Sequence, residues 1–207
     1  MLVRLLSEVC ARWRSVMFCL AGLGRKTLFS PFASVSASGR IVLAAGVSVK
    51  RARLNAQHGE IALASGVWLN DGVEINATHR VSIGQGTTVQ RNATINGEVN
   101  IGAQCLFAPN VFMSSTSHVH DLYPGLSIRE QERRISREEF LERYNKPITI
   151  GDDVWLGANV VVMPGVRIGS HVVIGANTVV NTDIPSGVIA AGVPVRVIRQ
   201  REGFEQA

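Results

Sequence analysis

Aliphatic residues recur every six positions along much of this 207-residue chain, and no other feature restricts its folding as strongly. From Ile150 the series continues through Leu156, Val162, Ile168, Ile174 and Val180. Four positions after each stand Val154, Val160, Val166, Val172, Thr178 and Ile184, and directly after each stand Gly151, Gly157, Met163, Gly169, Gly175 and Asn181. An earlier block has the same period: Ile83, Val89, Ile95, Ile101, Phe107 and Met113, with Thr87, Ala93, Val99, Cys105, Val111 and Ser117 four later. Ile61, Val67 and Val73 form a third block, and Ile41 and Val47 a weaker first pair. A period of six matches neither a helix face nor a long hairpin strand. It predicts a solenoid of short strands, three sides to a coil of about 18 residues. The aliphatic residue points inward in every hexapeptide, and the Gly or Asn beside it can take positive φ at a corner.

Composition agrees with that reading. Twenty glycines and 6% aromatic residues argue against a helical bundle. With 46% apolar and 18% charged residues the chain is too apolar for disorder, and no long unbroken apolar run predicts a spanning helix. Of the net charge of +5, residues 1–28 carry +4, from Arg4, Arg12, Arg14, Arg25 and Lys26 against Glu8. The nearly neutral remainder does not suggest nucleic-acid binding. Cys10, Cys19 and Cys105 lack metal-like spacing and are expected as buried, reduced thiols.

Leu2, Leu5, Leu6, Val9, Trp13, Val16, Met17 and Leu20 lie at spacings of three and four, which predicts an amphipathic helix ending near Gly22 and Gly24. Its apolar face has two readings: burial on protein, or peripheral membrane contact through residues 1–24.

The stretch Pro147–Arg199, with its VWLGAN, PGV, IGAN, DIP and AGVPVRVI segments, resembles the hexapeptide-repeat acyltransferases. It is most similar to the branch of maltose, galactoside and polysaccharide O-acetyltransferases. The resemblance spans roughly residues 31–200. It implies an all-β solenoid, a left-handed parallel β-helix, and supplies the hand, which the period does not. The division expected is an N-terminal helix and linker over 1–30, the β-helix over 31–195 and a tail over 196–207.

Between Met113 and Ile150 the period fails, which predicts a loop excursion at about 118–147. Ser136 and Glu139, ahead of Phe140, Leu141 and Tyr144, form a capping-box pattern for a short helix near 137–144. Acyl transfer to a hydroxyl needs a base that titrates near neutrality, the usual task of histidine. Of five histidines, His118 opens the loop. Together with Ala108-Pro109-Asn110-Val111 before it, it stands where the resemblance places the base. His120, two residues on, is the second candidate, since Val119 replaces the proline usual after that histidine. Asp121 could orient an imidazole. His58, His79 and His171 are expected at the surface, and no metal is expected.

Other roles come from the resemblance alone. It implies acetyl-CoA as co-substrate, held in the groove between neighbouring solenoids of a homotrimer. Trp155, Gly157 and Ala158 match its first contact set, and Ala176 its second. Arg196 and Arg199 match a basic pair for phosphate, and Asn181 stands where some relatives have threonine before a lysine. Gln90 and Asn92 match a sugar-contacting Asn-x-Asn, and Tyr123 could cover the acceptor. The activity implied is direct O-acetylation of a saccharide hydroxyl. With the basic N-terminus, this tilts toward capsule or lipopolysaccharide modification in the cytoplasm, at the inner face of the inner membrane. The alternatives are N-acetylation of a nucleotide-linked amino sugar, acetylation of a xenobiotic, and a non-catalytic β-helix scaffold.

Overall fold

A computed structural model describes residues 27–204. The helix expected over residues 1–24, with Cys10 and Cys19, lies outside them. Twenty short strands wind into a left-handed parallel β-helix with three faces. The first face stacks β1 (Leu28–Phe29), β4 (Ser48–Val49), β7 (Trp68–Leu69), β9 (Thr88–Val89), β11 (Leu106–Phe107), β14 (Trp155–Leu156), β17 (Val173–Ile174) and β19 (Val188–Ala191) in parallel. β20 (Arg196–Gln200) then closes this face antiparallel to β19. The second face stacks β2 (Ser34–Ala37), β5 (Arg53–Ala56), the start of β8 (Glu74–Ile83), the start of β10 (Thr94–Ile101), β12 (Phe112–Ser114), β15 (Val161–Val162) and β18 (Val179–Val180). The third stacks β3 (Arg40–Leu43), β6 (Glu60–Leu63), the ends of β8 and β10, β13 (Ile148–Ile150) and β16 (Arg167–Ile168).

The repeat dictates this winding. Every member of the two long series, from Ile83 to Met113 and from Ile150 to Val180, is at most 2% exposed. The residues four positions later are also buried, except Ser117, where the chain leaves the coil. The third block needs correcting. Ile61, Val67 and Val73 are buried, but Leu63, Leu69 and Ile75 are the residues that stack beneath Ile83, Val89 and Ile95.

Coil length differs too. Ser48 faces Trp68 and Trp68 faces Thr88, so the early coils have 20 residues. Thr88 faces Leu106 and Trp155 faces Val173, the expected 18. The change falls at a register shift between Gly97 and Val99, where β10 is two residues shorter than β8. Gly97 has φ +93 there, and a Cβ on it would collide with the Ser115 hydroxyl.

The excursion holds two helices. α1 (Ile128–Arg134) has a complete capping box between Ser127 and Glu130, a pattern the sequence reading passed over. α2 (Arg137–Tyr144) starts where expected, with the Ser136 hydroxyl accepting from the Glu139 N–H. Glu139 does not return that bond. Its carboxylate pairs with Arg143, 3.1 Å away.

Candidate functional site

The excursion folds over the second face and encloses a cleft of about 960 Å³. One wall comes from the coils, with Asn76, Asn96, Phe112 and Ser114; the other comes from the loop, with His118, Glu132, Arg137 and Phe140. Met163 and Pro164 complete it on the C-terminal side. Phe112 and Met163 are each 42% exposed, outward positions of β-strand coils that solvent would not favour.

His118 reaches the cleft because Val119, fully buried, anchors the chain between two outward residues. Its Nδ1 lies 2.5 Å from Glu132 Oε1. A carboxylate accepts, so Nδ1 is the donor, and in the neutral ring this leaves the lone pair on Nε2. α1 presents Glu132, and the neighbouring Gln131 fastens the loop. Buried to 3% exposure, Gln131 accepts from the Leu122 and Tyr123 N–H groups and donates to the Leu126 and His120 carbonyls. Neither residue was legible as functional. The unread capping box at Ser127 was the signal for the helix that carries both.

Asp121 does not orient an imidazole. It accepts from the Tyr144 hydroxyl at 2.6 Å. That bond holds the Asp121 carboxyl below its usual range and raises the Tyr144 phenol. His120 does not line the cleft; its Nδ1 donates to the His118 carbonyl at 2.9 Å and its ring meets Tyr144 edge-on.

Behind His118 a polar network closes the coil where the period changes. The Ser115 hydroxyl donates to Asn145 Oδ1 at 2.5 Å and accepts from the Glu98 N–H at 2.7 Å. Asn145 donates in turn to the Glu98 carboxylate at 2.8 Å.

The residues matched to the donor form a second cluster. Trp155 is 53% exposed on the first face, in register with Leu106 and Val173. Gly157 and Ala158 follow at the corner between first and second faces. A Cβ at Gly157 would come within 2.6 Å of the Ala176 nitrogen, so the chain passes closely there. Arg196 and Arg199 are exposed on β20, opposite Ala191 and Ile189. Asn181 stands apart, exposed after β18 at the corner between second and third faces.

Gln90 and Asn92 lie on the Gly157 corner, outside the His118 cleft. Gln90 accepts from Asn70 at 3.0 Å. Asn92 begins an asparagine ladder through Asn110, Asn159 and Asn177, all at positive φ. Tyr123 also lies outside the cleft lining, 5.8 Å beneath the Arg134 guanidinium. His58 and His79 are exposed; His171 is half-buried and bonds Asp153 at 3.0 Å. Cys105 is fully buried, and loss of solvent raises its thiol pKa. Among the described residues, no group of three or more His, Cys, Asp or Glu could hold a metal ion. None of their helices is long and apolar enough to cross a membrane.

Parallel coils with inward hexapeptides and a histidine cleft under one excursion define a class of protein, and the comparisons agree. Residues 147–182 match the bacterial transferase hexapeptide (six repeats) family. The chain is 39% identical over 135 residues to the galactoside O-acetyltransferase of Escherichia coli K12, covering 64% of this chain and 60% of the relative. A protein of the same organism, named for O-acetyl transfer in lipopolysaccharide biosynthesis, is 36% identical over 102 residues, or 49% of this chain and 50% of the relative. The chain thus spans between half and two thirds of the length of these relatives. Two solved structures share the fold. An N-acyltransferase from Bacillus cereus has TM-score 0.60 at 19% identity, covering 89% of this chain and 88% of that one. A polysialic-acid-specific acetyltransferase has TM-score 0.55 at 23% identity, covering 86% and 84%.

Proposed function

We propose that this protein is an acetyl-CoA-dependent O-acetyltransferase acting on a saccharide hydroxyl, with His118 as general base. The observation that carries this reading is the His118–Glu132 pair at the mouth of a cleft walled by Phe112, Phe140, Asn76 and Asn96. Aromatic faces and amides are what a sugar ring needs, apolar C–H faces on one side and hydroxyls on the other. Kinship with galactoside O-acetyltransferases supports the same acceptor class.

The chemistry is direct transfer. His118 Nε2 takes the acceptor hydroxyl proton as the oxygen attacks the thioester carbonyl. Glu132 stabilises the imidazolium that forms. A backbone amide holds the oxyanion. The tetrahedral intermediate then collapses, the C–S bond breaks, and the imidazolium proton goes to the CoA sulfur. The products are an acetyl ester and free CoA. A covalent route through Cys105 is disfavoured, since a reactive thiol must be reachable and thiolate-prone.

Acetyl-CoA is assigned to the first-face groove and its corner. The apolar pantetheine would lie along exposed Leu106 and Trp155, pass Gly157, Ala158 and Ala176, and reach Arg196 and Arg199 with its phosphates. A homotrimer, with the groove formed between neighbouring solenoids, belongs to this proposal. So does a place in capsule or lipopolysaccharide modification, which the second Escherichia coli relative supports.

The test joins ligand-induced stabilisation to product chemistry. Acetyl-CoA is expected to raise the melting temperature, and the acetylated sugar is expected to lose its acetyl group in mild alkali, as an ester does. An alkali-stable amide would replace O-acetylation by N-acetylation. No stabilisation and no product would leave the scaffold.

A further inference from the structure

We infer that the acceptor is an acidic saccharide whose carboxylate is held by Arg137. This rests on the reading that the His118 cleft receives the acceptor. Three charged or titratable side chains line that cleft: His118, Glu132 and Arg137. Glu132 is engaged by His118 Nδ1 at 2.5 Å. Arg137 makes no ion pair with any described residue. Its Nη2 donates to the Thr78 carbonyl at 3.0 Å and the His58 carbonyl at 3.5 Å. On its own helix turn, Glu139 is taken by Arg143, and Glu138 makes no ion pair with a described residue.

Carbonyls fix a guanidinium without neutralising it. Five N–H donors are available on arginine, and both bonds here use the same nitrogen, so the Nε and Nη1 donors have no partner among the described residues. A full positive charge is therefore anchored in a wall that also carries the base. Such a fork suits a carboxylate, which it can bind through two parallel hydrogen bonds. A neutral sugar would offer the Nε and Nη1 donors no charged acceptor. The remaining walls, Phe112, Phe140 and Met163, offer apolar contact and no charge.

The experiment measures equilibrium binding by calorimetry, not turnover, so its failure is separable from failure of acetyl transfer. The probes are matched methyl glycosides: galactoside with galacturonide, and glucoside with glucuronide. In at least one pair the acid is expected to bind about tenfold more tightly. The preference should fall as salt rises from about 0.05 M to about 0.5 M, since a partly exposed charge pair is screened. In Arg137→Gln the acid-to-neutral ratio should drop to about one. Arg137→Lys, which keeps the charge and loses the fork, should retain part of it. Salt dependence of the unaltered protein keeps the inference testable if Arg137→Gln disturbs the loop. Equal or undetectable binding of acid and neutral sugars in both pairs overturns it, as does a preference that survives in Arg137→Gln.

Discussion

The coils before the excursion and those after it solve the same stacking problem with different means. Before it, outward positions are joined by charge. Arg40 and Arg80 flank Glu60, Arg51 meets Asp71 at 3.3 Å, and Arg53 meets Glu74 at 2.9 Å. From Asn92 on, an asparagine ladder runs down one corner through Asn110, Asn159 and Asn177, and the ion pairs of the described coils after the excursion are confined to Asp153 with His171 and Arg201. The rungs Arg40–Glu60 and Arg51–Asp71 join coils of 20 residues, and the ladder steps Asn92–Asn110 and Asn159–Asn177 join coils of 18. The proposed site lies where one regime gives way to the other, beside the shift at Gly97 and Val99.

The comparison can be broken most forcefully in the core. Leu69 and Leu156 are both fully buried on the first face, and each change to alanine should cost about 2–5 kcal/mol. Contacts in a solenoid are mainly between neighbouring coils. Leu156→Ala should therefore weaken acetyl-CoA binding at Trp155 and Gly157, while Leu69→Ala should lower the melting temperature and spare it. Equal loss of binding in both would mean that the two halves act as one unit.

The next effect is on rate. Glu132→Ala should lower kcat about 10–100-fold with KM for acetyl-CoA unchanged, as loss of an orienting partner does, and Glu132→Asp should recover part of it. Unaltered kcat would remove Glu132 from the mechanism. Smaller again, Asn159→Ala breaks the ladder and puts an alanine at φ +58, and should cost about 1–2 kcal/mol in denaturant unfolding. Arg51→Ala, at a solvent-exposed pair, should leave the midpoint unmoved. The reverse order would deny the contrast between neutral and charged rungs.

The smallest effect concerns the C-terminal clasp. Arg201 and His171 both bond Asp153, and Phe204 stacks on His171. Desolvation pushes the Asp153 carboxyl up, but the bonds and charges of His171 and Arg201 outweigh it and hold it below the usual range. A depressed carboxyl stabilises the fold above its unfolded pKa and loses that contribution as pH falls through its folded one. Asp153→Asn should therefore lower the melting temperature slightly at neutral pH, with the gap closing in acid below the ordinary carboxylate range. A gap independent of pH would contradict the ion-pair account.

How much was legible follows from the same contrast. Where the corners are uniform, as from Ile150 to Val180, spacing alone gave every inward residue. In the early coils both inward series are apolar. The interval Ile61–Val67–Val73 therefore reads as a stack, although Leu63, Leu69 and Ile75 are the equivalents of Ile83, Val89 and Ile95. The two extra residues at one corner are polar and carry no periodic signal. At the site, His118 stood out because the repeat stops beside it. Glu132, Gln131 and Arg137 come from helices whose packing onto the coil depends on tertiary contacts no local pattern encodes. Asp121, directly after His120, reads as a partner for an imidazole, yet the Tyr144 hydroxyl from α2 claims it.

The most direct test of the account is acceptor-dependent release of free CoA from acetyl-CoA, measured side by side for the unaltered protein and His118→Ala over a panel of sugars and bacterial polysaccharides. The His118 side chain is 81% exposed, so its removal should leave the melting temperature unchanged. The account predicts release that depends on one acceptor class and falls about 10²–10⁴-fold in the variant. Release that proceeds undiminished in His118→Ala would contradict it.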